Sequence, residues 1–211
     1  MRPNGPVAWG PGDFVGAALC LDFANTVSGH DKDRSRHWFA DYGLLVAWSL
    51  DVGCIDGSEA RNLRRRAREA PESAKAALAR VIAVRECLYR IFSALSAGGA
   101  PDDVDMARFN RALAKALPHG SIARQREGFD WRWAGTADDL DRPLWPVLRS
   151  AAELLTGPDL DLLRECGRCS WLFLDRSKNR RRRWCKMSVC GNRAKAARHY
   201  RRKSAAADSA S

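Results

Sequence analysis

Four of the chain's seven cysteines lie between residues 166 and 190, and their spacing constrains the fold more than any other feature of the sequence. The spacing is Cys166-x2-Cys169, then fifteen residues, then Cys185-x4-Cys190. Two short-spaced pairs separated by a loop of about 15–20 residues are typical of a structural zinc site. Each pair can form a tight turn that holds two sulfurs about 2.3 Å from one ion at a tetrahedral angle. The spacing therefore predicts one Zn²⁺ bound by four thiolates.

The segment that holds these cysteines is too small to fold around an apolar core of its own. Residues 166–203 number 38 and contain few apolar side chains. Domains below about 40 residues usually depend on a metal or on disulfides. Four thiolates leave zinc no open coordination position, so the predicted site is structural and not catalytic.

Two other states of these four thiols are alternatives. C-x2-C pairs also occur in thiol oxidoreductases, although the strand and helix context of a thioredoxin-like fold is missing from this sequence. Four unrelated free cysteines are the second alternative. The remaining cysteines, Cys20, Cys54 and Cys87, have isolated spacings and apolar neighbours, which indicates ordinary buried residues.

The sequence also predicts the order of local structure around the cysteines. Gly167 is expected to supply a positive φ in the first turn. Residues 171–174 alternate as a strand, and a polar turn at 177–179 is expected to lead into a return arm that pairs with that strand. The residues after Cys190 have high helix propensity. Turn, hairpin and helix in this order predict a treble-clef-like zinc finger.

Positive charge is concentrated in the same part of the chain. Residues 164–203 contain 15 Lys and Arg against two acids, whereas residues 1–163 contain 21 basic and 22 acidic residues. A nearly neutral body with a strongly basic end indicates a polyanionic partner, because Lys and Arg that neutralise phosphates release bound counterions. We interpret that partner as nucleic acid, against the alternative of a charged face that is only solvated.

The arginine run 180–183 and the helix after Cys190 supply the candidate contacts. Arg makes two-pronged contacts to phosphates and to guanine edges. Asn192 can either read a base or fix a local turn, and His199 is interpreted as a surface or phosphate-facing residue. A narrow apolar stripe of this helix is expected to pack on the finger. The candidate nucleic-acid-binding residues are Arg180, Arg181, Arg182, Arg183, Asn192, Arg193, Lys195, Arg198, Arg201 and Arg202.

Apolar periodicity predicts a mainly α (α+β) fold for the rest of the chain. Apolar residues at three- and four-residue spacing indicate a long amphipathic helix from Pro71 to about Ala97, and Arg85 is the only break in its stripe. Alternation around Phe129 predicts a β-hairpin that turns near 127–128. Further helices are expected at 39–53, at 56–70 with Ser58 as its cap, at 103–117 and at 142–157.

Several classes of protein find no support in the sequence. No apolar run approaches the roughly 20 residues that span a bilayer. The first residues are interrupted by Pro and Gly and lack the apolar core of a secretion signal, so a cytoplasmic protein without membrane partners is expected. No Gly-rich phosphate loop, metal-binding histidine pair or catalytic triad is recognisable, so we do not expect an enzyme.

The segment LDFANTVS places three polar residues at three- and four-residue spacing, on one face if it is helical. Asp22, Asn25 and Thr26 could form a patch that contacts a ligand or the finger. They could instead form a network of caps and turns that ties the N-terminal segment to the core, and we favour this second interpretation.

The segment FLDRSKNRRRRWCKMSVCGNRAK resembles the CGNR zinc-finger family, named for a tetrapeptide that stands here at 190–193. LCLDFANTV and LWPVLRSAAELLTG resemble the ABATE domain that usually accompanies this finger. The resemblance covers nearly the whole chain. It implies a bacterial transcription regulator, sometimes described as RNA-binding, with a helical N-terminal domain that contains a small β element. The family's metal-binding cysteines correspond to Cys166, Cys169, Cys185 and Cys190.

These observations predict an ABATE-like helical domain at 1–160, a zinc finger at 161–203 and a disordered tail at 204–211. The expected function is that of a zinc-dependent, DNA-binding transcription regulator whose N-terminal domain senses a signal or oligomerises. RNA binding, a protein-interaction module and a zinc-dependent redox switch are the alternatives. A homodimer and a small-molecule effector are left open.

Overall fold

A computed structural model describes residues 14–27, 38–134, 139–197 and 200 of the chain. Most of these residues are helical, and the strands form two short antiparallel hairpins. The helices are α1 (Leu19–Ala24), α2 (Tyr42–Asp51), α3 (Gly57–Glu69), α4 (Pro71–Ser96), α5 (Asp103–Ala116) and α6 (Trp145–Thr156). The strands are β1 (Gly120–Gln125), β2 (Gly128–Trp133), β3 (Leu163–Glu165) and β4 (Leu172–Leu174). A π-helical turn, Met187–Gly191, continues as α-helix through 192–197.

Helix α3 begins two residues earlier than its predicted cap implied. The side chain of Asp56, not Ser58, accepts the backbone N–H groups of residues 58 and 59. Glu59 returns a bond from its side chain to the N–H of Asp56, which completes a capping box. The prediction of Ser58 as cap was wrong because an acid two residues upstream offers the same acceptor and a Glu at the right spacing completes the pair.

Helix α4 is the central element, and it contacts α1, α2, α3 and α5. Pro71 stands at its first position, where the missing N–H costs no hydrogen bond. The predicted long helix is confirmed. Arg85, the break in its apolar stripe, is fully buried and donates from Nη1 to the carbonyl of Thr26 at 3.1 Å and from Nε to Glu86 at 2.9 Å. Those partners are what allow a guanidinium to lie in the core.

The hairpin β1–β2 turns where the alternation predicted, with Gln125 opposite Gly128 as its last pair. Gly128 has a φ of +92°, a conformation that glycine adopts without steric cost. Trp131 stacks on Trp133 with ring centroids 5.5 Å apart, and Trp133 packs on Trp145 at the start of α6. The tryptophans thus attach the hairpin to the helical core.

The second hairpin differs from the prediction. Strand β4 pairs with β3, which precedes the first cysteine pair, and the residues after 174 form an irregular loop. The predicted pairing of 171–174 with the arginine arm was wrong because Leu163 offers an apolar partner that can be buried in the core, which consecutive arginines cannot do. The polar turn at 177–179 is confirmed by a bond from the N–H of Arg180 to the carbonyl of Ser177 at 3.1 Å.

The predicted fold class, mainly α with a small β-hairpin and a C-terminal treble-clef-like finger, is confirmed. Across the described residues, no helix combines the length and the apolar content that crossing a membrane requires.

Candidate zinc centre and nucleic-acid interface

The sulfurs of four cysteines converge at one buried point. The Sγ atoms of Cys166, Cys169, Cys185 and Cys190 all lie within 4.8 Å of one another. The distance from Cys169 to Cys185 is 3.6 Å, and that from Cys185 to Cys190 is 3.7 Å. These distances exclude disulfides, whose sulfurs lie about 2.0 Å apart. A tetrahedron with metal–sulfur bonds of about 2.3 Å has edges of about 3.8 Å, so the cluster has the size of one zinc site.

The first cysteine pair lies in the tight connection between β3 and β4. The N–H of Cys166 donates to the carbonyl of Trp171 at 2.9 Å, and the N–H of Ser170 donates back to the carbonyl of Cys166 at 3.0 Å. The positive φ of this turn, +59°, belongs to Ser170, so the prediction for Gly167 was wrong. Gly167 instead donates its N–H to Arg183, and a Cβ there would lie 3.3 Å from the ring of Trp184.

The second pair is positioned by the π-helical turn. The N–H of Cys190 donates to the carbonyl of Lys186 at 2.9 Å, so Cys190 stands at the start of a helix as predicted. Gly191 is buried beneath Met187, and a Cβ at this position would lie 2.2 Å from Met187 Sδ and 3.2 Å from Trp184 Cδ1. A glycine after the last cysteine therefore allows the turn to close against its own side chains.

The four thiols depend on one another for their protonation. Hydrogen bonds from Cys169 and Cys185 lower the pKa of the Cys166 thiol. Contact with that sulfur raises the pKa of Cys185 and of Cys169, and burial raises the pKa of Cys190. Without a cation, these four buried sulfurs cannot all carry charge together. A divalent ion between them removes that conflict, since it deprotonates the thiols it binds.

The donor set therefore fits one structural Zn²⁺, as the spacing predicted. Four sulfurs fill a tetrahedral shell and leave no position for a substrate. The other cysteines lie apart from this cluster and are buried, also as predicted. Burial raises the pKa of the Cys20 and Cys54 thiols to about 12 and that of Cys87 to about 11.

A buried carboxylate shapes the arginine-rich loop. Asp175 has no solvent exposure, and its two oxygens accept the N–H of Ser177 at 3.0 Å and the N–H of Arg182 at 2.8 Å. Burial alone would raise the pKa of Asp175, but these hydrogen bonds hold it below its usual range. The loop 176–181 is thereby closed at its base. In the sequence, Asp175 is only one of two acids in a basic segment, and nothing near it in the chain indicates this role.

The four consecutive arginines are exposed but differ in their surroundings. Arg182 donates to the carbonyl of Cys185 at 2.5 Å, and its guanidinium lies 4.8 Å from the ring of Phe173. The guanidinium of Arg183 lies 5.5 Å from the ring of Trp184. Arg180 has a φ of +47°, which directs the loop at its tip. Within the described residues, no acid forms an ion pair with Arg180 or Arg181.

The helix after Cys190 carries the other candidate contacts. Arg193 and Lys195 are exposed, as is Asn192, whose Nδ2 donates to the carbonyl of Ser188 at 3.1 Å. This bond fixes a local turn, one of the two roles considered for Asn192, and base contact by this residue stays a prediction. The candidates Arg198, Arg201 and Arg202 lie outside the described residues, as does His199. In the expected apolar stripe, Ala194 and Ala197 are half-buried, but Tyr200 is 70% exposed.

The finger is joined to the helical domain by buried and half-buried contacts, of which the sequence suggested only that of Asn25, in the interpretation that was not favoured. Asn25 accepts the N–H of Leu172 and donates to its carbonyl, both at 2.8 Å. Trp171 donates from Nε1 to the carbonyl of Val27 at 3.3 Å. Glu165 accepts the hydroxyls of Tyr89 at 3.3 Å and Ser93 at 2.5 Å from helix α4. Asn25 thus completes the edge of the β3–β4 hairpin from another part of the chain.

The other two polar residues of LDFANTVS act locally, as the favoured interpretation predicted. Asp22 accepts the N–H of Gly16 at 2.8 Å, and the hydroxyl of Thr26 donates to the carbonyl of Phe23 at 2.7 Å. Burial raises the pKa of Asp22 to about 6. Only Asn25 of these three residues contacts the finger by a hydrogen bond within the described part of the chain.

Comparison with protein families gives two matches along this chain. Residues 17–158 match the ABATE family, described as "putative stress-induced transcription regulator". Residues 163–203 match the CGNR zinc finger. A comparison with curated proteins gave no match. The two matched segments follow one another in the order that the sequence motifs predicted.

Proposed function

We propose, from the premise that this chain belongs to the ABATE family and ends in a CGNR zinc finger, that it is a DNA-binding transcription regulator. Zinc holds the finger in one shape, and the arginine loop and the helix after Cys190 bind phosphates. The candidate contacts remain those named from the sequence, with Arg180 and Arg181 at the centre of the surface. The N-terminal domain acts as the sensor or as the oligomerisation element.

The observation that carries this proposal is how charge is distributed over the finger, with the cations exposed and the acids facing inward. Residues 164–197 contain eleven Lys and Arg but only two acids, Glu165 and Asp175. Both acids are occupied by hydrogen bonds on the inner side of the finger, Glu165 with helix α4 and Asp175 with its own loop. Neither forms an ion pair with Arg180 or Arg181 in the part of the chain that the structure describes. A surface with this excess of cations favours a polyanion over a solvated face.

The arginines divide into two roles under this proposal. Arg182 and Arg183 lie against Phe173 and Trp184 and stabilise the loop, so they present one face of each guanidinium outward. Arg180 and Arg181 extend from the tip, where they can make charge-assisted bonds to phosphate oxygens. We favour DNA because a short helix beside a zinc site can enter a major groove, whereas structured RNA presents a deep and narrow one.

The test measures binding of the zinc-loaded protein to a labelled duplex and to a hairpin RNA by fluorescence anisotropy. Affinity for the duplex should fall steeply between about 50 and about 200 mM salt. The variant Arg180→Gln/Arg181→Gln should lose affinity for all duplex sequences. The slope of log binding constant against log salt concentration should become less steep by about 1.8, or about 0.9 for each phosphate contact that is lost. The matched control is Arg64→Gln/Arg68→Gln, which removes the same charge from helix α3.

Two results would contradict the proposal. One is duplex affinity that does not change with salt, and the other is a finger variant that behaves like the control variant. Tighter binding to the hairpin RNA than to the duplex would leave the interface in place and assign it to RNA.

A further inference from the structure

A cleft of about 550 Å³ lies between helices α4 and α5 and the start of α6, away from the zinc centre and the arginine loop. Its floor is apolar and includes Val84, Ala112, Leu144 and Leu148. Binding sites for small molecules are usually concave and largely apolar, with volumes of about 300–1,000 Å³. The cleft therefore has the size and the floor of a small-molecule site.

The rim of the cleft carries a row of cations. Arg108, Arg111 and Lys115 follow one another on α5 at spacings of three and four residues, so they share one face of the helix. Like charges at these spacings destabilise a helix. Among the described residues, none forms an ion pair with Arg111 or Lys115. An anion bound at the rim would relieve this repulsion.

The opposite side of the cleft carries the acids, and one of them is paired with an arginine. Arg80 of α4 binds both oxygens of Asp141 at 3.0–3.2 Å. His119 stacks on Trp145 with ring centroids 4.0 Å apart and planes within 6°, and its Nε2 lies 3.8 Å from Asp139. This side therefore carries two acids and one arginine, and stacking on Trp145 holds His119 in place.

We propose that this cleft binds a small organic anion, a carboxylate or phosphate on an apolar body. The anionic group contacts Arg111 and Lys115, and the apolar body lies on Val84, Leu144 and Leu148. A nucleic-acid backbone fits less well, since it would leave the apolar floor exposed and would bring phosphates near Asp139 and Asp141. The two acids thus favour a ligand with one localised charge.

The position of the cleft suggests that this ligand acts as an effector of the finger. The effector role rests on the proposed function, whereas the binding site itself does not. Helix α4 contributes Arg80 and Val84 to the cleft, and further along the same helix Tyr89 and Ser93 bind Glu165 of the finger. One continuous helix therefore contacts both the ligand site and the hairpin that holds the first cysteine pair. A ligand that shifts α4 acts on the finger through these two hydroxyls.

The test is calorimetric titration of the zinc-loaded, full-length protein with naphthoate, with phenyl phosphate and with the neutral naphthamide. We expect at least one of the anions to bind and the amide to bind at least about tenfold more weakly, which corresponds to about 1.4 kcal/mol. The variant Arg111→Gln/Lys115→Gln should lose a similar factor for the anion. The matched control, Arg64→Gln/Arg68→Gln, should bind it like the unmodified protein. Comparing the two anions distinguishes a carboxylate site from a phosphate site.

Three outcomes would overturn the inference. Neither anion binds, the amide binds as tightly as the anions, or the two double variants lose the same amount of affinity for the anion. Loss of duplex binding in Arg111→Gln/Lys115→Gln without loss of anion binding would also overturn it and assign the cleft to the nucleic-acid interface. Anion binding by a protein that binds neither duplex nor RNA would support the site and contradict the proposed function, so the two failures are distinguishable.

Discussion

At the scale of single residues, Asp175 shows how a buried acid can support a basic surface. Its carboxylate accepts two backbone N–H groups that close the arginine loop. Asp175→Asn provides one fewer oxygen acceptor and turns an amide donor toward an N–H. We expect the loop to lose about 1–3 kcal/mol of stability and the affinity for a duplex to fall, while zinc content is unchanged.

The control for this prediction is Asp159→Asn, since Asp159 pairs with Arg176 at the protein surface. Both substitutions raise the net charge by one. If charge alone governs binding, both variants bind the duplex more tightly. If Asp175 shapes the loop, the two variants change affinity in opposite directions. Anisotropy and metal analysis of the same samples distinguish these results.

Asp22 should make the free energy of unfolding depend on pH, with a cost to the folded protein that appears as the pH rises. Burial raises its pKa from about 3.8 to about 6, so the folded protein resists ionisation of this carboxyl. Below about pH 4 the group is protonated in both states and has no effect; its cost grows between about pH 4 and 6 and reaches up to about 3 kcal/mol above that. Asp22→Asn keeps an acceptor for Gly16, so it should be more stable than the unmodified protein at pH 7.

Urea unfolding of both proteins at about pH 7 and about pH 4 measures this difference. Zinc is lost at acid pH from both proteins alike, so the difference between them reports Asp22 alone. We expect the stabilisation by Asp22→Asn to vanish at the lower pH. A difference of the same size at both pH values would contradict the raised pKa.

The residues that could be predicted from the sequence are those whose partners lie nearby in the chain. The spacing identified Cys166, Cys169, Cys185 and Cys190, because a tight turn fixes each pair and one ion joins the two pairs. Asn25 could not be assigned in this way, since its partner is a backbone group 147 residues away. Backbone groups have no sequence signature, so contacts made to them appear only in the folded structure.

At the scale of elements, the long helix and the tryptophan hairpin follow from periodicity, but the partner of β4 does not. A strand of three residues pairs wherever an apolar edge is available, and β3 supplies one that is buried against α4. The first cysteine pair is therefore held on both sides by strands that belong to the helical core. The arginine loop and the second pair have less support of this kind.

This division predicts how the finger responds to loss of zinc. The N–H groups of Leu172 and Leu174 donate to Asn25 and to Gly16, which are parts of the helical domain. The N–H groups of Gly167 and Cys190 instead donate to the carbonyls of Arg183 and Lys186, within the part of the finger around the zinc site, here called the zinc lobe (166–171 and 182–191). Hydrogen exchange after chelation should leave the first two amides protected and expose the last two.

The variant Cys190→Ser provides the same test without a chelator. It should release zinc and give the same exchange pattern, with the helical domain still folded. Equal loss of protection at all four amides would show that zinc supports β3–β4 as well. One equivalent of zinc retained by this variant would contradict the ligand assignment.

At the scale of the whole molecule, one apolar core crosses from the ABATE segment into the zinc-finger segment. Leu163, Leu172 and Leu174 pack in the same cluster as Leu88 and Ile91 of α4. The four zinc-site cysteines and Phe173 form a second, smaller cluster. The hairpin β3–β4 therefore faces both clusters, so the finger cannot move freely relative to the helices.

This shared core predicts that the zinc-loaded chain unfolds in one cooperative transition. Asn25 is the polar link across the boundary, and Asn25→Ala leaves the buried N–H and carbonyl of Leu172 without partners, at about 1–3 kcal/mol for each group. Scanning calorimetry should show a single peak for the unmodified protein and for Asn179→Ala, an exposed control. Asn25→Ala should unfold at lower temperature, with the zinc lobe separating from the helices. Two peaks in the unmodified protein would contradict the shared core, because they would show that the finger unfolds independently of the helices that Leu172 packs against.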